Sequence, residues 1–170
     1  NQFDIRGFAQ RNSDDLFTGG GVFVANRTTL HNLAKITLRA AYEPESYDDL
    51  DSFGNGTYRI DHHSGASVRW DTDTSKTWAF GIGGGWLQEY LGGNTYTAEG
   101  QIDWRPSDRF NTSLALVYFD RDGWLLHQEN RNFTTFSADQ WQPKASLEFY
   151  INARQQLRAF GHVGVHVICS

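Results

Sequence analysis

The segment Thr95-Tyr96-Thr97-Ala98-Glu99-Gly100-Gln101-Ile102-Asp103-Trp104-Arg105 alternates between small or apolar side chains and polar ones. The small or apolar residues share one parity: Ala98, Gly100, Ile102 and Trp104. The polar residues share the other: Thr97, Glu99, Gln101 and Asp103. Because successive side chains of an extended strand point to opposite faces, the segment predicts a β-strand with one apolar and one charged face. A strand of a membrane-spanning barrel has this pattern, with lipid on one face and a polar interior on the other.

The same alternation recurs along the chain and predicts about nine strands. They cover residues 3–10, 17–25, 32–43, 57–70, 77–87, 95–105, 111–119 and 144–152, and a ninth begins at residue 156. The predicted fold is therefore all-β. It is an antiparallel up-and-down transmembrane β-barrel, or an open or partial barrel sheet, of about 8–10 strands.

The linkers between the predicted strands alternate in length from the second strand on. The short ones are residues 26–31, 71–76, 105–109 and 152–155. The long ones are residues 44–56, 88–94 and 120–143. Outer-membrane barrels have short periplasmic turns and longer extracellular loops, so this alternation predicts that successive hairpins end on opposite sides of a membrane.

Aromatic residues are concentrated near both ends of the predicted strands. Beside the short turns lie Trp70, Trp78 and Trp104. Near the long linkers lie Tyr42, Trp86, Tyr118 and Trp141. This placement matches the two aromatic girdles of a membrane barrel. The alternative is that these rings cap the rims of a soluble β-core.

Composition narrows the class of protein further. The chain has 15 basic and 20 acidic residues, a net charge of −5, which argues against a nucleic-acid partner. Its single cysteine, Cys169, excludes a disulfide framework or cysteine zinc site within the chain. No apolar run reaches the roughly 18 residues of a membrane helix. Because the chain starts at Asn1 without initiator or export signal, we expect residues 1–170 to be a fragment, a single segment of an outer-membrane barrel domain.

Five motifs between residues 102 and 160 carry a family resemblance. They are Asp103-Trp104-Arg105-Pro106-Ser107-Asp108-Arg109, Phe119-Asp120-Arg121-Asp122-Gly123-Trp124, Arg131-Asn132-Phe133-Thr134-Thr135-Phe136, Gln140-Trp141-Gln142-Pro143 and Ala153-Arg154-Gln155-Gln156-Leu157-Arg158. Together they resemble the C-terminal β-barrel of the DUF5916 family of bacterial outer-membrane proteins. The resemblance implies a barrel in the outer membrane of a Gram-negative bacterium, with no defined biochemical activity.

Members of that family look like two-part proteins, in which a module similar to carbohydrate-binding family 9 precedes the barrel. Nothing in this chain matches that module, so the resemblance does not imply sugar binding here. Residues 161–170 depart from the expected pattern and form an atypical end. The chain finishes on Ile168-Cys169-Ser170, whereas a native barrel normally ends on an aromatic residue.

Seven polar residues of the predicted strands are expected to face the barrel lumen: Lys35, Arg39, Arg69, Glu99, Gln101, Asp103 and Glu148. Paired carboxylates do acid–base work where their environments separate their pKa values, and Glu99, Asp103, Glu148 and Asp61 are candidates for this. A lumen is also ordinarily lined with solvated charges. We favour the interpretation that these residues are the solvated lining of a lumen. We expect no catalytic residue and therefore do not expect an enzyme.

The metal-binding patterns in the sequence are incomplete. His162 and His166 lie four strand residues apart, roughly 13 Å, which is too far for one ion. His62 and His63 are adjacent and point to opposite faces. The run from Asp71 to Ser75 resembles the start of a calcium loop, but it lacks the glycine and the glutamate that the loop requires. We therefore expect no metal and no cofactor.

The predicted loop at residues 120–143 is the best candidate for recognition of a ligand. Its candidate binding residues are Trp124, Arg131, Phe133, Phe136 and Trp141. Exposed aromatics beside arginine suit an extracellular glycan or peptide. The alternative is that this loop folds inward and plugs the barrel.

The function expected from these patterns is a scaffold or transport-related role in the outer membrane, with lipid as the principal partner and long loops outside. The alternative, of another class, is a soluble extracellular β-sandwich that binds glycans through the aromatics of residues 120–141. A barrel enzyme with a catalytic carboxylate or histidine ranks third.

Overall fold

The computed structural model describes residues 1–48, 56–89, 92–129, 132–152, 155–163 and 165–169. Within these residues every regular element is a β-strand, and none is a helix of the length and apolarity needed to cross a membrane. The strands are β1 (Gln2–Arg11), β2 (Phe17–Thr29), β3 (Lys35–Glu43), β4 (Ser46–Asp48), β5 (Tyr58–Ile60), β6 (His63–Asp71), β7 (Trp78–Gln88), β8 (Asn94–Ser107), β9 (Phe110–Glu129), β10 (Asn132–Asn152), β11 (Gln155–His162) and β12 (Val165–Cys169).

One large antiparallel sheet contains all of these strands except β4 and β5. Nine strands follow one another in the order β1-β2-β3-β6-β7-β8-β9-β10-β11, and β4 and β5 form a small hairpin of their own. In the described residues β1 pairs only with β2, and β11 pairs only with β10, so both edges of the sheet are open. The all-β antiparallel prediction is confirmed, in the form of an open or partial barrel.

Strand β12 continues along the edge of β10 where β11 ends. Lys144 faces His162 and Trp141 faces Val165, so both pairs lie in the same antiparallel register, three residues further along each strand. Pro143 lies between them on β10, and its carbonyl accepts a hydrogen bond of 3.2 Å from the amide of Val163. Proline has no amide hydrogen to donate, so the ladder is weakened at this position.

The predicted strand at residues 57–70 is two strands in the structure. Residues Tyr58–Ile60 pair with Ser46–Asp48, whereas the strand that joins the large sheet starts at His63, opposite Glu43. The next residue after Glu43 is Pro44, which cannot donate to a ladder. The main sheet therefore stops at this pair, and the chain beyond it forms a separate short hairpin.

The prediction of a loop at residues 120–143 is wrong for most of this segment. Strand β9 continues to Glu129 and β10 begins at Asn132, so the two form one long antiparallel hairpin with partners such as Leu126 and Thr134. The register shifts between Phe136 and Ala138, which breaks the alternation that sequence analysis relies on. The chain is rich in β-formers on both sides of that shift, and the paired strand is favoured over a loop.

The predicted alternation of loop length is also only partly correct. The linker predicted to be long at residues 88–94 is a five-residue connection, 89–93, closed by a 3.0 Å hydrogen bond from the Glu89 amide to the Gly93 carbonyl. It is no longer than the turn at residues 30–34 on the opposite end of the sheet. The asymmetry between the two ends comes instead from strands β4 and β5, which lie between β3 and β6 in sequence, and from the projecting β9–β10 hairpin.

The register divides the large sheet into two chemically different faces, because paired residues of neighbouring strands lie on the same side. One row of the apolar face runs through Ile36, Trp70, Ile82, Gly100, Leu116 and Pro143. The adjacent row of the polar face runs through Thr37, Arg69, Gly83, Glu99, Val117 and Gln142. The apolar face is uncovered: Ile82 is 61% exposed and Leu114 is 57% exposed.

Candidate functional site

The seven polar residues expected to face a lumen all lie on the polar face of the large sheet. Their rows include Lys35 beside Asp71, and Arg69 and Glu99 on either side of Gly83. A cavity of about 680 Å³ lies on this face and is lined by residues from β1, β2, β3, β6, β7 and β8. The polar face is therefore concave along these strands. That it lines a water-filled lumen stays a prediction.

Arg69 is the centre of a hydrogen-bonded network that spans three strands. Its guanidinium lies 2.8 Å from the Asp71 carboxylate on its own strand and 2.9 Å from the Glu99 carboxylate on β8. It also donates a 3.0 Å hydrogen bond to the side-chain carbonyl of Gln101. The Gln101 amide in turn donates to Asp103, at 3.0 and 3.1 Å, and to the Ser113 hydroxyl at 3.3 Å. Five polar side chains thus hold Arg69 and one another in place.

Two glycines of β7 make room for this network. An ideal Cβ atom at Gly81 would lie 2.5 Å from a guanidinium nitrogen of Arg69, and one at Gly83 would lie 2.5 Å from a carboxylate oxygen of Glu99. Strand β7 separates β6 from β8 in the sheet, so a side chain at either position would block the contact between Arg69 and Glu99. The glycine-rich sequence of β7 is therefore explained by the space that the polar network needs.

Glu148, another of the lumen candidates, belongs to a separate part of the polar face. Its carboxylate lies 3.3 Å from the Arg158 guanidinium on β11, directly opposite in the register. The Arg158 side chain is 62% exposed, so this is a solvated ion pair. The structure gives Glu148 no contact with Glu99 or Asp103, and the carboxylates considered for acid–base chemistry are not brought together as a pair.

Aromatic rings of the apolar face form a cluster at the end of the sheet that carries the shorter turns. Trp78 and Trp104 stack with ring centroids 5.5 Å apart, and Phe110 meets Trp104 edge-on at 5.6 Å. Trp70 is the last residue but one of β6 and so lies toward the same end of the sheet. We call this set the turn-end girdle. It contains the three tryptophans predicted beside the short turns, of which Trp78 and Trp104 are in ring contact.

A second aromatic cluster of the apolar face lies toward the β9–β10 hairpin, and we call it the hairpin-end girdle. Its members are Tyr42, Trp86, Tyr96, Tyr118 and Trp141. The rings of Tyr118 and Trp141 lie 4.5 Å apart. The Tyr118 hydroxyl donates a 2.6 Å hydrogen bond to Asp139, and the Trp86 indole donates a 2.7 Å bond to Asn94. Each polar tip thus bonds to a residue further from the aliphatic centre of the face.

The candidate ligand residues of the predicted loop lie on strands. Trp124 is in β9, whereas Phe133, Phe136 and Trp141 are in β10, and Arg131 lies outside the described residues. Phe136 and Trp141 are five residues apart on one strand, so they belong to opposite faces. Trp141 contacts Tyr118 in the hairpin-end girdle. Phe136 and Trp141, the two of these aromatics whose side chains are described, therefore do not form one site, and the ligand-binding role of the others stays a prediction.

No group of three or more His, Cys, Asp or Glu side chains with metal-binding geometry occurs in the described ranges. His63 lies 3.3 Å from Glu43 on the polar face, whereas the ring of His62 lies 6.3 Å from that of Tyr42, a residue of the apolar face. The two adjacent histidines thus have different environments.

Sequence analysis missed Arg27, a further arginine of the polar face. The predicted second strand ended at residue 25, but β2 continues to Thr29 and places Arg27 opposite Thr37. The sequence carries no alternation that would extend this strand, because Asn26 and Thr28 are polar although they share the apolar face with Val24.

Comparison with known proteins gives no assignment. No family model matches the chain, and neither the curated proteins nor the solved structures contain a match.

Proposed function

We propose that the chain is a segment of an outer-membrane β-barrel that acts as a membrane scaffold or transport-related protein. The observation that carries this proposal is the uncovered apolar face bordered by two aromatic girdles. Trp78 of the turn-end girdle and Trp86 of the hairpin-end girdle are eight residues apart on β7, roughly 27 Å along the strand. The apolar band of a membrane barrel is about 25 Å tall and is flanked by such girdles.

The residues between the girdles support contact with acyl chains. Val68, Ile82 and Leu114 lie in this band, and each is about half exposed or more. In a β-sandwich the apolar faces of two sheets bury each other. Within the described residues, the only other sheet is the small β4–β5 hairpin, with three residues in each strand. Lipid acyl chains are the partner that would remove an apolar face of this size from water.

The open edges support a barrel that is larger than this sheet. Nine antiparallel strands alternate in direction, so β1 and β11 run the same way. A barrel that is antiparallel throughout has an even number of strands. Closure on this sheet therefore takes an odd number of further strands between β1 and β11. This proposal agrees with the resemblance to the large DUF5916 barrel and with a location in the outer membrane of a Gram-negative bacterium.

The hairpin that projects past the hairpin-end girdle is placed outside the cell by this proposal. Beyond the pair Tyr118–Trp141, β9 continues for eleven residues, roughly 37 Å when extended. Extracellular connections of outer-membrane barrels are longer than periplasmic turns. We assign no active site. As a second candidate function, the hairpin would bind an extracellular glycan or peptide through its aromatic residues.

The test is insertion into phosphatidylcholine vesicles from urea, followed by quenching of tryptophan fluorescence with brominated lipids. Five of the six tryptophans lie in the two girdles, so bromine placed near the headgroups should quench more strongly than bromine placed at the bilayer centre. Refolding without lipid or detergent should give aggregates in light scattering. A folded, monodisperse protein in plain buffer would instead indicate the soluble β-sandwich.

A further inference from the structure

Two arginines of the polar face, Arg27 and Arg39, differ from the others in their partners. Arg6 is paired with Asp4 at 2.8 Å, Arg69 with Asp71 and Glu99, and Arg158 with Glu148. Within the described part of the chain, neither Arg27 nor Arg39 forms an ion pair, and both side chains are exposed. Both line the concave cavity of the polar face. Within the described residues, this cavity therefore holds two guanidinium groups that have no ion-pair partner. The carboxylates of Asp4 and Glu99 also line the cavity, but they are paired with Arg6 and Arg69.

The register brings these two arginines close together. Arg27 on β2 lies opposite Thr37, and Arg39 on β3 lies opposite Ala25, so the arginines are diagonal neighbours on adjacent strands. Such neighbours have Cα atoms about 7–8 Å apart, which is within reach of two long side chains. Both guanidinium groups can therefore contact one small ligand.

The floor around the two arginines has little bulk. Ala25, Ala41, Gly65 and Gly85 line the cavity beside them. An ideal Cβ atom at Gly85 would lie 3.2 Å from the Ser67 side chain. The larger side chains of the cavity, Phe23 and Leu87, lie in the row of Ala41 and Gly65, next to the row of Arg39 and Gly85. The same cavity is lined by three hydroxyl groups, which belong to Thr37, Ser67 and Thr97. The open space thus has cationic donors on one side and hydroxyl donors around it.

We propose that Arg27 and Arg39 form a binding site for a small phosphate-type oxyanion. Guanidinium groups donate parallel hydrogen bonds to phosphate oxygens, and two of them supply two positive charges to a dianion. The site lies on the face opposite the one assigned to lipid, so the expected ligand is a solute in water. The inference rests on the proposed function, because that function makes this face the wall of an aqueous interior.

The site predicts a selective loss of phosphate binding when one arginine is removed. The protein is refolded in an amine-oxide detergent, which contains no phosphate, and binding of radiolabelled inorganic phosphate is measured by equilibrium dialysis. Replacing Arg39 with glutamine should weaken binding about tenfold, because charge-assisted hydrogen bonds are lost. Addition of phosphatidylglycerol vesicles should leave the affinity of the wild type unchanged, since the site takes the free ion.

Lys144→Gln is the matched control, because Lys144 is a cation of the same face on β10, away from the cavity. It should change the affinity by less than about twofold. Equal weakening by both variants would overturn the site in favour of a general effect of charge. Wild-type protein that inserts into vesicles but binds no phosphate in detergent would overturn the site and leave the proposed function standing. Failure to insert at all would refute both.

Discussion

The two faces of the large sheet differ in the kind of side chain they carry and in how those side chains contact one another. On the apolar face, rows of aliphatic side chains stand next to one another without a covering layer, and Ile82 and Leu114 remain more than half exposed. On the polar face, Arg69 of β6 reaches across β7 to Glu99 of β8. The residue of β7 that lies between them is Gly83, which has no side chain to block the contact. The difference teaches that side-chain contacts connect the strands on the polar side of this sheet, whereas on the apolar side large side chains are exposed in the described residues.

Soluble antiparallel sheets have the reverse arrangement. Their apolar face is packed against a core, and their polar face is solvated. In the described residues, the buried hydrophobic side chains are Ala34, Ile60, Ala79 and Ala138. These four residues do not constitute a core for a sheet of nine strands in sequence. The comparison between the faces is therefore the strongest structural argument for a lipid environment. It is also the argument that single substitutions can test most directly.

The largest effect is expected from placing a charge on each face of β9 in turn. Leu116 lies in the middle of the apolar band, and the next residue, Val117, lies on the polar face opposite Glu99. Arginine at a lipid-facing position near the bilayer centre costs about 2–4 kcal/mol, because the charge must leave water. Leu116→Arg should therefore lower the free energy of unfolding in vesicles by about that amount, as measured by urea titration.

Val117→Arg is the matched variant, since it adds the same charge one residue further along the same strand. Glu99 lies directly across from it, and the new cation stays in contact with water, so we expect a cost below about 1 kcal/mol. Equal costs at the two positions would show that the faces do not differ in environment. That result would remove the basis for assigning the apolar face to lipid.

A smaller effect is expected from adding a side chain to a glycine on each face. A Cβ atom at Gly83 would lie 2.5 Å from Glu99 and 3.0 Å from the Val68 carbonyl, whereas one at Gly100 would meet nothing within 4 Å. Gly83→Val should destabilise the protein by about 1–3 kcal/mol through overpacking. Gly100→Val should be neutral within about 0.5 kcal/mol or stabilising, since valine favours strands.

These two glycine variants can be compared in one assay, the midpoint of urea unfolding in vesicles. A loss of similar size at Gly100 would mean that the apolar face is filled by an unseen neighbour. Indifference at Gly83 would mean that the Arg69–Glu99 contact is dispensable or is formed differently in the bilayer. Either result sharpens the comparison, because each glycine reports the space on its own face alone.

Sequence alone predicted the strands and their faces because the alternation of side chains has a period of two and needs no knowledge of neighbours. The segment at residues 95–105 is within β8, and the predicted apolar and polar sets lie on opposite faces. The prediction fails at residues 120–143, where the register shifts between Phe136 and Ala138. A bulge changes the parity of one strand, so no single alternating template fits the segment.

The candidate site was predictable in its residues but not in its contacts. Arg69 and Glu99 were both assigned to the polar face, but they belong to β6 and β8, which are separated by β7. The order of strands in the sequence does not show that β7 leaves room for a contact between their side chains. The run from Gly81 to Gly85 is the one signal in the sequence, since it carries small residues on the polar face at the positions where the two side chains meet.

The third prediction separates an organised polar interior from an ordinary solvated surface. The Arg69 side chain is 29% exposed and bonds to Asp71, Glu99 and Gln101, so Arg69→Gln leaves several polar groups without their donor. We expect a loss of about 1–3 kcal/mol in the free energy of unfolding. Arg158→Gln removes a more exposed ion pair with Glu148 and should cost less than about 1 kcal/mol.

A double-mutant cycle makes this comparison independent of other effects of losing an arginine. If Arg69 and Glu99 interact across β7, then the double variant with both residues changed to glutamine should cost less than the sum of the single changes, by about 0.5–3 kcal/mol. The pair Arg158 and Glu148 should give a coupling near zero in the same cycle. Similar couplings for the two pairs would mean that the interior network is as weak as a surface ion pair. The glycines of β7 would then need another explanation, because the space they leave would not be serving a contact that stabilises the sheet.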